Sequence, residues 1–186
     1  MKAFMRLFTA LDVPEDILGH LEDVVDRLRP SADIRWSPTS NLHITTKFIG
    51  HWPEERLEEL KTALAAVTVP PIRVELSRLE FIPNARSPRV FLCGVDAPGI
   101  EVLAATTDRA TAALGIESES RAYNPHLTLA RIKEPRDVRT LREEVATLSE
   151  TRFGGFEARS FFLYQSQMQS GGSVYTKLAE FPLVHP

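Results

Sequence analysis

The chain repeats itself in outline, and each copy ends on the same short pattern. Leu7-Phe8-Thr9-Ala10-Leu11-Asp12-Val13-Pro14 parallels Phe91-Leu92-Cys93-Gly94-Val95-Asp96-Ala97-Pro98. Asp12 precedes His43-Ile44-Thr45 by 31 residues, and Asp96 precedes His126-Leu127-Thr128 by 30. Each unit reads as a strand, an Asp-x-Pro turn, a helix and a second strand closing on His-x-Thr. Pattern and spacing agree, which points to a duplicated β-α-β unit with pseudo-twofold symmetry. Such symmetry sets two equivalent strands across one cleft. The expectation is a single domain over 1–186, with a first repeat of about 1–82 and a second of about 90–186.

Hydrophobic periodicity supplies the elements. Met5–Leu11 is apolar on both faces, like a central strand. Asp12 is placed to cap the next helix, Glu15–Arg29, whose stripe is Ile17, Leu21, Val24 and Leu28. Strand Leu42–Ile49 comes next, then helix Glu54–Val67 with Leu57, Leu60, Leu64 and Val67 on one side, then strand Ile72–Phe81. The basic loop from Ile82 to Arg89 joins the repeats. Beyond it lie strand Val90–Val95, a helix from Ile100 to near Gly115, strand Leu127–Ile132 and helix Arg136–Ser149. Phe156–Gln165 and Val174–Phe181 form a hairpin around Gly171-Gly172.

Composition narrows the function classes. The 186 residues carry 43% hydrophobic and 25% charged side chains, the profile of an ordinary globular protein. A net charge of −3 argues against a protein that coats nucleic-acid backbone, and favours a small local site such as a strand end. No apolar run approaches the roughly 18 residues of a membrane helix, so no membrane partner is expected. The N-terminus lacks a secretory h-region. Cys93 is the one cysteine and lies in Val90-Phe91-Leu92-Cys93, so it is expected to be buried and inert. The expected compartment is cytoplasmic and the expected state monomeric.

Strand alternation turns the motifs into a chemical proposition. Leu42, Ile44, Thr46 and Phe48 share one face, while His43, Thr45 and Lys47 share the other. In the second copy Leu127 and Leu129 face the core, and His126 and Thr128 face out. Two imidazoles with ordinary pKa near 6.5 suit paired acid and base work. A strained cyclic phosphodiester needs that pairing: water attacks phosphorus opposite the departing ribose oxygen, with a base on one side and an acid on the other. Each positioned group typically contributes about 10²–10⁴-fold. The threonine hydroxyls can donate to non-bridging oxygens, and Lys47 or Arg131 can balance charge. Zinc sites usually need three or four ligands, often close in sequence, so no metal and no cofactor are expected.

Asn41-Leu42-His43-Ile44-Thr45-Thr46-Lys47-Phe48 and Asn124-Pro125-His126-Leu127-Thr128-Leu129-Ala130-Arg131 resemble the motifs of the two-histidine phosphoesterases. Within them the resemblance is strongest to the RNA 2′,3′-cyclic phosphodiesterases, also called 2′-5′ RNA ligase-like proteins. It extends to Arg6-Leu7-Phe8 and to Gly172–Leu178. It implies a bilobal α/β (α+β) fold with two antiparallel sheets flanking a central cleft and helices outside. It implies hydrolysis of RNA ends bearing 2′,3′-cyclic phosphate to 2′-phosphate ends; some relatives also join RNA through a 2′-5′ bond. Carried over by position, His43 is the proton donor and His126 the proton acceptor. Thr45 and Thr128 hold phosphate, with Arg131 assisting. Two departures stand out: Asn124 where many relatives have a basic residue, and Thr46 where an aliphatic residue is usual. Strict alternation from His126 also sends Arg131 to the core face, so its role requires a strand end or a bulge.

The remaining candidates are weaker. His20, His51 and His185 read as solvated. Arg86 and Arg89 read as a solvated loop that could meet RNA. Phe48 reads as core, and Tyr123 as either core or a base-stacking platform. Competing functions are a nucleotide or RNA-end binding module, and a phosphodiesterase acting on a small cyclic nucleotide or a 2′-5′ oligoadenylate.

Overall fold

The computed structural model describes residues 3–133, 137–170 and 172–185. Four α-helices and nine strands form the described architecture, with short 3₁₀ turns at Arg29–Ser31, Thr39–Asn41 and Glu54–Arg56. The helices are α1 (Glu15–Leu28), α2 (Leu57–Ala65), α3 (Ile100–Ala112) and α4 (Arg139–Thr147). The strands are β1 (Phe4–Leu11), β2 (Arg35–Trp36), β3 (Ile44–Pro53), β4 (Ile72–Ile82), β5 (Val90–Asp96), β6 (His126–Arg131), β7 (Arg152–Ala158), β8 (Ser160–Gln169) and β9 (Gly172–Pro182). The expected helix start at Arg136 and the expected turn residue Gly171 lie outside the described residues.

Two antiparallel sheets result. One runs β3-β1-β8-β9, the other β2-β6-β5-β4-β7. The motif strands hold matched places, β3 beside β1 and β6 beside β5. The sheets do not follow the two sequence halves: β4 joins the sheet of β5 and β6, while β8 and β9 complete the sheet of β1 and β3. The expected strand Phe156–Gln165 is in fact two strands broken at Arg159, one in each sheet.

The helices cross as well. α1 leaves the sheet of β1 and packs on β7 of the other sheet, and α3 leaves the sheet of β5 and packs on β3. Ile17 of α1 lies so close to β7 that a Cβ on Gly154 would meet its Cγ1 at 3.2 Å. Each β-α-β unit thus lends its helix to its partner's sheet. The buried stripe of α1 is Ile17, Leu21, Val25 and Leu28, and that of α3 includes Ile100, Leu103 and Ala104. One continuous apolar cluster joins both sheets and all four helices. Acidic Glu15 and Asp16 in the first turn of α1 suit its positive end.

Asp12 does not cap α1. Pro14 holds the cap position, and the Asp12 carboxylate instead accepts from the Tyr164 hydroxyl and, at 2.6 Å, from Lys177 Nζ. Strand register also corrects the alignment of the two copies. Leu11 pairs with Ile44 and Cys93 pairs with Leu127, so Leu11 corresponds to Cys93 rather than Val95. The two Asp-x-Pro turns are two residues out of step in space.

Because each sheet is covered by a helix from the other repeat, the molecule should unfold in one step. Leu21→Ala and Leu103→Ala, both at fully buried positions, should each cost about 2–5 kcal/mol. Urea denaturation should show a single transition at a lower midpoint in both; a separate early transition in either would contradict the exchange.

Candidate active site

β3 of one sheet approaches β6 of the other, which brings the two His-x-Thr segments together. The imidazoles are held in the same way. His43 Nδ1 is 2.8 Å from the Asn41 carbonyl, and His126 Nδ1 is 2.9 Å from the Asn124 carbonyl. A carbonyl only accepts, so Nδ1 carries the proton in each neutral ring and Nε2 is left for chemistry. The departure at Asn124 matters little for this hold, because every residue type supplies a main-chain carbonyl.

His43 is further fixed by aromatic packing. Phe8 stacks on it at 4.7 Å, and Tyr175 meets it edge-on at 5.1 Å. Tyr164 stacks on Phe8 at 5.4 Å, and its hydroxyl reaches Asp12. Lys177 bonds the same carboxylate and lies 3.7 Å over the Phe162 ring. Burial pushes the His43 pKa down. The Asn41 carbonyl and the Asp12 charge oppose that shift, while Arg131 and His126 reinforce it. The charges of Arg131 and His126 are therefore felt at His43, as expected for one shared cleft.

Thr45 and Thr128 are half-buried on the same faces as their histidines. Neither hydroxyl has a protein partner among the described residues, so both can meet a ligand. Tyr123 spans the two half-sites: its hydroxyl donates to the Thr45 carbonyl at 2.8 Å. It is a brace rather than a stacking platform, and burial raises its pKa.

Paired bulges explain three departures from strict alternation. Opposite β1, Thr9 pairs with Lys47 and Ala10 with Thr45, leaving Thr46 as the extra residue. Opposite β5, Phe91 pairs with Ala130 and Leu92 with Thr128, leaving Leu129 extra. Each bulge comes directly after the His-x-Thr and reverses the faces beyond it. Arg131 consequently leaves the core face and turns to the cleft. Its counterpart in the first copy is Phe48, also the fifth residue after the histidine. Phe48 is 61% exposed and pairs with Phe8, so it is not core.

Lys47 is turned the other way, against expectation. It is buried and donates to Asp108 of α3 at 2.5 Å and to the Glu117 carbonyl at 2.7 Å. Asp108 loses solvation there, but its bonds from Lys47 and the Glu119 amide hold its pKa below the ordinary carboxylate range. Lys47 thus anchors the segment leading to His126 instead of facing the cleft. Thr46, beside it, shares a buried hydroxyl–hydroxyl bond of 2.7 Å with Thr9.

The other candidates fall as expected. His20, His51 and His185 are exposed, as are Arg86 and Arg89. Cys93 is fully buried and its thiol is pushed up to about 12, chiefly by burial. Among the described residues, no group of three or more His, Cys, Asp or Glu side chains converges, and no helix is long and apolar enough to cross a membrane. Phe8, Asp12, Tyr164 and Tyr175 escaped the sequence as site residues. Only Phe8 and Tyr175 left a trace, in the flanking segments of the resemblance.

A duplicated α+β fold presenting two carbonyl-held histidines and two free threonines to one cleft defines a two-histidine phosphoesterase. The chain belongs to the LigT like phosphoesterase family, whose model matches residues 11–92 and 95–175. It is 30% identical over 177 residues to an RNA 2′,3′-cyclic phosphodiesterase of Methanocaldococcus jannaschii, covering 95% of this chain and 100% of that one. The corresponding protein of Archaeoglobus fulgidus is 32% identical over 178 residues, covering 95% and 99%. The crystal structure of TT0787 of Thermus thermophilus superposes with a TM-score of 0.78 at 29% identity, covering 97% of this chain and 99% of that one.

The lowered His43 pKa has a stability consequence. The unfolded chain, with histidine near 6.5, binds more protons than the folded one below that pH. Stability should therefore fall as pH drops from about 7 to about 5, and His43→Gln should flatten that slope. Urea midpoints measured across the range test this; an equally steep slope in the variant would refute it.

Proposed function

We propose that this chain is an RNA 2′,3′-cyclic phosphodiesterase that opens the cyclic phosphate at an RNA end to a 2′-phosphate, with His43 and His126 moving both protons. The observation that carries this is the matched hold on two neighbouring imidazoles: each commits Nδ1 to a main-chain carbonyl and leaves Nε2 without a protein partner among the described residues, and the charge of His126 is felt at His43. Near-full-length similarity to curated RNA 2′,3′-cyclic phosphodiesterases supports the same activity.

His126 Nε2 takes a proton from water, whose oxygen forms a bond to phosphorus. The bond from phosphorus to the ribose 3′-oxygen breaks on the opposite side. His43, as imidazolium, gives its Nε2 proton to that oxygen. Thr45 and Thr128 donate to the non-bridging oxygens, where charge builds in the transition state. Arg131 adds a positive charge on the same side of the cleft. Both proton transfers are supplied by imidazole, so no step calls for a metal ion.

The acid must be charged, yet burial depresses the His43 pKa in the free protein. A bound phosphate anion favours the imidazolium and raises it. The pH profile should be bell-shaped, and the limb reporting protonated His43 should lie at higher pH in kcat than in kcat/KM. A limb that moves the other way would contradict His43 as the acid.

Turnover of a nucleoside 2′,3′-cyclic phosphate in EDTA, with a 2′-phosphate product, is the direct test. His43→Ala and His126→Ala should each lower kcat by at least ~10²-fold. Full activity in either variant would end the proposal.

A further inference from the structure

β2 is only two residues long, yet it places an arginine where strand pairing would ordinarily avoid one. Arg35 sits directly opposite Arg131 in the antiparallel β2–β6 register, and Trp36 sits opposite Ala130. Opposed residues share a face, and like charges there are destabilising. Trp36 marks the core side: its ring meets Phe91 edge-on at 5.9 Å, and its Nε1 donates to the Ala32 carbonyl. Arg35 and Arg131 are therefore both on the cleft side, and both are exposed.

Neither has a carboxylate partner among the described residues. Several arginines elsewhere do have one, as Arg29 has Asp26 and Arg56 has Glu59, and others such as Arg142 have none among those residues; what sets Arg35 and Arg131 apart is that they are directly opposed on one face. Arg35 also has a defined neighbour. A Cβ on Gly172 would come within 3.5 Å of its Nη2, so the guanidinium lies against the tip of the β8–β9 hairpin. That tip is tied to the first motif by Asn41 Nδ2, which donates to the Ser173 carbonyl at 2.7 Å. Two guanidinium groups on adjacent strands, one pointed into the site and the next one strand outward, form a track for two successive anions.

We infer that Arg35 holds the phosphodiester on the 5′ side of the terminal nucleoside while Arg131 attends the cyclic phosphate, so that the chain prefers an RNA strand end over a free cyclic nucleotide. The inference rests on the proposed function. An RNA ending in a cyclic phosphate carries its next phosphate on the 5′-oxygen of that same nucleoside, whereas a cyclic mononucleotide with a 5′-hydroxyl has none. β2 is the edge strand of its sheet, so the rest of the RNA leaves over an open edge.

The test compares three substrates: a nucleoside 2′,3′-cyclic phosphate, the same compound carrying a 5′-phosphate, and a dinucleotide ending in 2′,3′-cyclic phosphate. The protein should favour the second and third over the first by about tenfold in kcat/KM, the worth of one charge-assisted contact. In Arg35→Gln that ratio should fall to near one, mainly through KM, and Arg35→Lys should keep part of it. The salt dependence of log KM for the dinucleotide should shallow by about 0.7 in Arg35→Gln. Arg142→Gln, on the exposed face of α4, should change neither. An Arg35→Gln ratio equal to that of the parent protein would overturn the inference. If the parent protein turns over none of the three, the proposed function has failed. Binding of a 2′-phosphate-ended dinucleotide against a nucleoside 2′-phosphate then decides the matter: Arg35→Gln must weaken only the former, and equal loss on both would overturn the inference.

Discussion

A sheet with one apolar face must find a cover, and in this molecule each sheet is covered by the other repeat's helix. α1 springs from β1 but packs on β7; α3 springs from β5 but packs on β3. Each repeat buries its core partly under its partner's helix, with α2 and α4 packed alongside α3 and α1. β4, β8 and β9 reinforce the exchange by completing sheets on the far side. The cleft between β3 and β6 is consequently backed by one continuous core, although it looks like a gap between two lobes.

On that frame, small backbone devices set the chemistry. Two carbonyls fix the imidazoles, and two bulges set the direction of the side chains beyond each His-x-Thr. The bulge at Thr46 sends Lys47 to Asp108 and frees Phe48; the bulge at Leu129 buries Ala130 and frees Arg131. The Lys47–Asp108 pair and the Tyr123 brace bind the segment before His126 to the strand that carries Thr45. One half-site is therefore positioned against the other by direct contacts, not only through the common core.

Much of this is legible in the chain. Apolar spacing of 3.6 marks the four described helices, and the recurrence of His-x-Thr in matching units marks the candidate site residues His43, Thr45, His126 and Thr128. Alternation fails where a bulge intervenes, which is why it assigns Lys47 and Phe48 to each other's faces. Nothing in Thr46-Lys47-Phe48 announces an extra residue, since a bulge depends on the partner strand's register. Asp12 has the composition of a helix cap, but a hydroxyl and an ammonium from the last two strands claim its carboxylate first. The break at Arg159 is hidden because both of its flanks have strand character, and only the sheets they join differ. Long-range pairing decides each of these cases, and no local window contains it.

A site built from two halves of the same pattern would present a ligand with two similar ways to lie down. The fifth position after each histidine helps to remove that likeness. Phe48 puts a flat apolar ring at one rim of the cleft, and Arg131 puts a cation at the other. A molecule with an uncharged planar end and an anionic end has only one orientation that satisfies both. The duplication thus supplies the paired framework, and this divergent position adds to the aromatic packing on the His43 side in giving it polarity, as a keyed plug differs from a symmetrical one.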